Sequence, residues 1–263
     1  MSHSTISLGL GLGGGKSATS SGSPGGGGAF ANTLSCEFDP TAKERLTVPT
    51  DSSLNTTGSI SLSAWVYPDV IDLGYRAIAA KRTSVNDWQF AVTSGKLQLY
   101  LFNSGVTSTT GSTNLTAGAW HHVAFTVEVA TNGAKLYLNG NVDATTTPTS
   151  TSSNGAAGIT IGNNKNADTP ARFWDGKIDE VAWFHSALSA SDISTLRGGV
   201  AAGTLGQPAD ISSLNPVGWW RMGDNNSASA GSNVPLITDA VTGTNNAVQA
   251  TASKQPILST DVA

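Results

Sequence analysis

The chain has 263 residues, long enough for one large all-β domain with appendages, and only 12% of it is charged, with a formal net charge of −4, which excludes the basic face of a nucleic-acid binder. Cys36 is the single cysteine, so neither an intramolecular disulfide nor a cysteine-based zinc site can form. No stretch approaches the ~20 apolar residues of a membrane span, and Ile6 to Leu12 is too short and too glycine-interrupted for a signal-peptide core, so neither a membrane partner nor the usual secretory route is expected.

Residues 1–33 read as an extended arm. They hold the glycine runs Gly13 to Gly15 and Gly25 to Gly28 and one charged side chain, Lys16. Such a segment buries too little apolar surface to order itself. Ile6, Leu8, Leu10 and Leu12 nevertheless alternate with Ser7, Gly9 and Gly11, giving a period-two apolar edge suited to joining a partner's sheet.

Residues 34–200 read as a two-sheet antiparallel sandwich. Leu34 to Phe38, Ile60 to Val66, and Leu97 to Leu101 alternate as strands, Trp120 to Val127 is a longer strand, and Lys135 to Leu138 is another. Asn132-Gly133 and Asn139-Gly140 supply turn chemistry, and Thr145 to Ser153 reads as a surface loop. In Gly176 to Phe184 the alternation places Ile178, Glu180, Ala182 and Phe184 on one face and Asp179, Val181 and Trp183 on the other. A short helix follows, with Ser189 and Asp192 spaced as a capping box and Gly198 at its end. Residues 201–263 form a tail whose Trp219-Trp220 argues for packing on the sandwich or on a neighbour rather than a free linker.

Three patches carry a resemblance. The first is L-S-C-E-F-D-P (34–40) with S-L-N-T-T-G-S-I-S-L-S-A-W-V-Y-P-D (53–69). The second is L-T-A-G-A-W-H-H-V-A-F-T-V (115–127) with A-K-L-Y-L-N-G (134–140). The third is I-T-I-G-N-N (159–164) with W-D-G-K-I-D-E-V (174–181). In this order they resemble the concanavalin A-like lectin/glucanase jelly roll in its laminin-G-like branch. The resemblance implies an all-β jelly-roll sandwich, used for binding and adhesion more often than for catalysis. The tail W-W-R-M-G-D and the leader L-G-L-G-L-G-G-G-K resemble segments of bacteriophage virion structural proteins.

Related glucanases carry their catalytic carboxylates on one strand as E-x-D-x-x-E. Here Asp179 and Glu180 are adjacent, and neighbours on a regular strand point to opposite faces. They would not converge at the ~5 Å that a retaining mechanism needs, so no catalytic residue is expected. His121, His122 and His185 read as packed or surface histidines. No cofactor is expected; calcium is the one candidate ion, because many laminin-G-like domains hold one. Asp39 and Asp179 are the candidate ligands, though no loop has dense acidic spacing. A sugar site would draw on Tyr75, Asp87, Trp88, Arg172 and Trp174 at one rim, against the alternative that most tryptophans are core.

The expected function is that of a non-enzymatic bacteriophage virion protein, a capsid decoration or head-surface subunit, docked by its arm to other virion proteins or to copies of itself. The alternative is a carbohydrate-binding or receptor-binding module on a phage tail or cell surface. A glycanase ranks last.

Overall fold

The computed structural model describes residues 30–82, 87–102, 106–131, 133–147, 157–164 and 169–263. The arm residues Ile6, Leu8, Leu10 and Leu12 lie outside them. In chain order the strands are β1 (Ser35–Phe38), β2 (Leu46–Val48), β3 (Ile60–Pro68), β4 (Tyr75–Arg82), β5 (Asp87–Thr93), β6 (Lys96–Phe102), β7 (Val106–Asn114) and β8 (His121–Glu128). They continue with β9 (Gly133–Leu138), β10 (Asn141–Thr146), β11 (Ile159–Ile161) and β12 (Gly176–Phe184). Helix α1 (Ala190–Thr195) precedes β13 (Gly218–Trp220), β14 (Leu236–Ile237), β15 (Ala247–Val248) and β16 (Ile257–Ser259). None of the described helices is long and apolar enough to cross a membrane.

The strands form two antiparallel sheets. The first runs β10-β9-β8-β3-β12-β1-β16, with β13 also on β12, and the second runs β14-β15-β2-β11-β4-β5-β6-β7. The tail therefore supplies strands to both. The alternating strands read from the sequence face inward: Leu62, Ala64 and Val66 with Val123, Phe125 and Val127 from one sheet, and Leu97, Leu99 and Leu101 from the other. Phe125 bridges the layers, its ring 5.3 Å from those of both Trp88 and Phe90. Each such side chain contributes roughly 1.5–3 kcal/mol by leaving water. This is the jelly-roll sandwich that the resemblance implied.

A second apolar cluster covers the outer face of the first sheet. There α1 and the tail bring Ile193, Leu196, Ile211 and Trp219 onto Tyr137, Ala182 and Phe184. The helix starts as its sequence dictates. Ser189 accepts from the backbone N–H of Asp192, and the Asp192 carboxylate accepts from that of Ser189. At the β9–β10 hairpin Asn139 and Gly140 take φ +50° and +81°, the left-handed pair that a two-residue turn requires.

Two readings need correction. Thr145 and Thr146 belong to β10 rather than to a loop. More consequentially, β12 does not keep one alternation along its length. Its register against β3 shifts between Asp179 and Ala182, and Glu180 adopts φ +47°. This bulge inserts one residue, so Ile178 shares the intersheet core with Val181 and Trp183, while Ala182 and Phe184 face outward.

Candidate functional site

Strands β4, β5 and β6 present a connected set of rings and guanidinium groups on the outer face of the second sheet. Because Leu97, Leu99 and Leu101 fill the core, Gln98, Tyr100 and Phe102 must point outward. Register then places Thr160, Ala80, Gln89, Tyr100 and Ser108 in one cross-strand row, and Ala77, Ala91, Gln98 and Thr110 in another. The three alanines are fully buried on this outward face, so larger neighbours lie over them. The Tyr75 hydroxyl donates to Gln89 Oε1 at 3.0 Å, and the Tyr75 ring lies 6.0 Å from Tyr100. Tyr100 stacks with Phe102 at 5.9 Å.

An arginine flanks each end of this set. The Arg82 guanidinium sits 4.1 Å from the Phe102 ring centroid, and that of Arg172 sits 4.9 Å from the Tyr75 ring. Arg172 is delivered by the short turn Pro170–Arg172, which Arg76 ties to β4 through the carbonyls of Pro170 and Phe173. Burial pushes the Tyr75 phenol well above its ordinary range; the charges of Arg172 and Arg82 oppose that shift without reversing it. Burial likewise lowers the Arg82 pKa, and repulsion from Arg172 adds to it.

The sequence-derived sugar residues divide. Tyr75 and Arg172 come together on this face. Trp88 and Trp174, each 1% exposed, do not belong to it. Trp88 lies in the core, 5.2 Å from Trp183, and Trp174 donates its indole N–H to the Lys177 carbonyl. Asp87 is buried beside Lys81, 3.5 Å from its ammonium. The reason is β5 itself: Trp88, Phe90 and Val92 alternate inward, a signal present in the sequence. Tyr100, Phe102, Arg82 and Gln89 were missed, although the alternation of β6 already turned Tyr100 away from the core.

A second constellation occupies the outer face of the first sheet, at the β12 bulge. One edge of β12 pairs with β1 at Gly176 to Ile178 and with β13 at Val181 to Trp183, so the bulge sits at the seam between two neighbours. Glu180 accepts from the Trp219 indole at 2.5 Å and from Arg221 Nε at 3.0 Å. Asp179 accepts from Asn32 Nδ2 at 2.9 Å and from the Glu180 backbone N–H. Arg221 also donates to the Ala31 carbonyl and lies over the Phe30 ring, which stacks on Trp219 at 6.1 Å. Thr33 donates to Asp224 through its backbone N–H and hydroxyl. Burial, then the neighbouring Glu180 charge, holds Asp179 well above the usual carboxylate range. Burial pushes Glu180 up to about 7 against the pull of Arg221.

The argument that adjacent carboxylates must diverge therefore fails here, because the bulge interrupts the strand parity on which it rested. Both acids are instead engaged by the protein's own groups under Phe30, Trp219 and Arg221. Asp39, the other candidate calcium ligand, is occupied in its own loop by the N–H and hydroxyl of Thr41. Among the described residues no group of three or more histidine, cysteine, aspartate or glutamate side chains is placed to hold a metal ion. His122 is buried against Trp65 and bonded to Ser63, and burial lowers its pKa to about 3. His121 bonds the Thr116 carbonyl.

Known structures share this architecture. A Bacteroides ovatus ATCC 8483 protein provisionally described as carbohydrate-binding superposes with a TM-score of 0.60 and 17% identity, over 88% of this chain and 60% of its own. This chain thus spans about three fifths of that protein's length. A heptameric SAP-like pentraxin from Limulus polyphemus matches with a TM-score of 0.50 and 19% identity, over 63% of this chain and 82% of its own. The binding domain of Paraclostridial Mosquitocidal Protein 1 also gives 0.50, with 16% identity over 60% of this chain and 42% of its own. At these identities the likeness is one of fold. No curated protein matches the sequence. The family described as the concanavalin A-like lectin/glucanases superfamily, in its Laminin_G_3 group, matches residues 40–194, more than half of the chain, and the protein belongs to it.

Proposed function

We propose that the protein is a non-catalytic glycan-binding module whose ligand lies on the rings of Tyr75, Tyr100 and Phe102. The observation that carries this reading is the connected ring surface on an outward sheet face, with Gln89 and Gln98 among the rings. Aromatic faces stack on sugar faces, and a few fixed polar groups orient the ligand. The carbohydrate-binding description of the Bacteroides ovatus protein supports it. The test is glycan-array binding by the full chain and by Tyr100→Ala. At least one glycan should bind, and the variant should lose it with its melting temperature unchanged. Binding of no glycan, or binding indifferent to Tyr100→Ala, would overturn the reading.

We further place this module on a bacteriophage particle, as a capsid decoration or head-surface subunit. The glycine-rich leader and the W-W-R-M-G-D tail support that setting through their resemblance to virion proteins. Ile6, Leu8, Leu10 and Leu12 would attach it as an added strand. Mass spectrometry of purified particles tests the setting: the protein should be present, and a variant lacking residues 1–29 should be absent. Full occupancy by the truncated variant would remove the arm from the mechanism.

A further inference from the structure

We infer that an apolar groove beside β14 is the seat of the chain's own N-terminal arm: until a partner takes the arm, the run Ile6, Leu8, Leu10, Leu12 lies with its apolar edge in that groove. The inference does not depend on the glycan-binding reading and adds a place for the arm ahead of attachment.

The groove encloses about 340 Å³ and is lined by Ala228, Val234, Pro235, Leu236, Ile237 and Leu258, with Asn226 and Ser227 as its polar neighbours. Val234, Ile237 and Leu258 are buried, whereas Leu236 is 38% exposed. An apolar lining open to water is stabilised by whatever apolar group covers it. Backbone pairing cannot supply that cover. The outer edge of β14 is taken by the Asn226 side chain, whose Nδ2 donates to the Leu236 carbonyl at 2.7 Å and whose Oδ1 accepts from the Thr238 N–H at 3.2 Å. The edge of β16 is closed by the preceding loop: the Gly231 N–H donates to the Leu258 carbonyl at 2.7 Å, and the Leu258 N–H donates to the Ser232 carbonyl at 3.0 Å. An occupant must therefore offer side chains rather than a strand edge.

Three observations make the arm that occupant. First, it starts beside the groove. Thr33 donates to Asp224, two positions before Asn226. Leu34 and Leu258 sit over the same glycine, since a methyl group placed on Gly223 would lie 2.7 Å from Leu258 Cδ2 and 3.1 Å from Leu34 Cβ. Second, the tether has the right length. Residues 13–29, eight of them glycine, separate Leu12 from Phe30. Such a chain spans roughly 20–25 Å on average and at most ~56 Å. It therefore holds the run near the groove at an effective concentration of roughly millimolar order, well above that of a second copy at micromolar protein. Third, the pattern fits. Apart from Met1, Ile6, Leu8, Leu10 and Leu12 are the large apolar side chains among the first 29 residues, and Ser7, Gly9 and Gly11 between them add little bulk. An extended run would set them on one side, ~6.6 Å apart, with a slim backbone behind. Docked in this way, an edge able to join copies of the chain stays covered until a better seat displaces it.

The test is disulfide trapping in the full chain at micromolar protein. Leu8→Cys and Leu10→Cys are each combined with Leu236→Cys, with the arm cysteine alone as the control for the buried Cys36. At least one pair should close within one chain, giving a compact monomer on non-reducing electrophoresis. Replacing the three remaining apolar residues of the run by serine keeps the tether and removes the apolar contact, and should slow closure ten-fold or more. Hydrogen exchange supplies a readout without added cysteines: amides of residues 234–237 should exchange faster when Ile6, Leu8, Leu10 and Leu12 are all replaced by serine. Closure at the same rate after serine replacement would mark chance collision on the tether and overturn the inference. So would exchange indifferent to those replacements, or disulfides formed chiefly between chains, which would give the groove to a second copy's arm. Particle attachment is read separately: an arm that never closes onto Leu236 yet still carries the protein onto particles would remove this inference and leave the virion reading standing.

Discussion

The two outer faces of the sandwich carry similar groups put to different use. On the first sheet Arg221 lies over Phe30 and near Trp219, and its N–H groups are taken by Glu180, Asp224 and the Ala31 carbonyl. On the second sheet Arg172 lies over Tyr75 and Arg82 over Phe102, with the local carboxylates committed to Arg76 and Lys81. Rings beside an arginine therefore do not define a role. Where the chain supplies the acid, as at Arg221, the group closes a seam; Arg172 forms no ion pair with the described residues.

The largest effects should fall at the seam and in the core. Arg221→Ala leaves Glu180 and Asp224 without their cation, both acids nearly buried, and should destabilise the protein by about 3–5 kcal/mol in urea denaturation. Arg172→Ala should cost under about 1 kcal/mol in the same assay. Equal losses would erase the contrast between the faces. Trp88→Ala should likewise cost roughly 3–5 kcal/mol, because its ring fills the space between Phe125 and Trp183.

A smaller and more specific effect is pH dependence. Asp179, Glu180 and the buried Glu44, which accepts from the Asp39 backbone N–H at 2.8 Å, bind protons more tightly when folded than when unfolded, with burial raising Glu180 and Glu44 to about 7 from 4.5. As pH rises from 4.5 to about 7 the unfolded chain ionises while these groups stay protonated in the native state. Stability is therefore greatest at the acid end and is lost across that window. Denaturation midpoints should fall between pH 5 and pH 8, and the paired variant Glu44→Gln, Glu180→Gln should flatten the slope. An unchanged slope would assign the pH dependence elsewhere. Smallest in stability is Tyr100→Ala, expected within about 1 kcal/mol of the parent while glycan binding falls by about ten-fold or more.

Much of this architecture was legible from residue pattern. Leu97, Leu99 and Leu101 alternate, and so do Val123, Phe125 and Val127; each set faces the core. Ser189 and Asp192 cap α1 as their spacing requires. The β12 bulge was not legible, since one inserted residue leaves no mark in an alternating string yet reverses every side chain beyond it. That single insertion brought Asp179 and Glu180 into one cluster. Trp88 and Trp174 were placed at a rim because tryptophan suits both a sugar face and a core; the inward companions Phe90 and Val92 decide for Trp88. Tyr75, Tyr100 and Arg172 meet only through strand register and a turn, so no local motif announces the surface they form.

The pairing of β1 with β16 and of β2 with β15 has a consequence for how the molecule is made. Two strands near the start of the jelly roll receive their outer neighbours from the tail; Ser35, for instance, donates to the Asp261 carbonyl 226 positions away. During synthesis those early strands must wait with one side bare until the distant segment leaves the ribosome, a long loop to close and an invitation to mispair with another nascent copy. A gene fragment cut at residue 194, where the family match stops, would make that temporary state permanent and should yield aggregates.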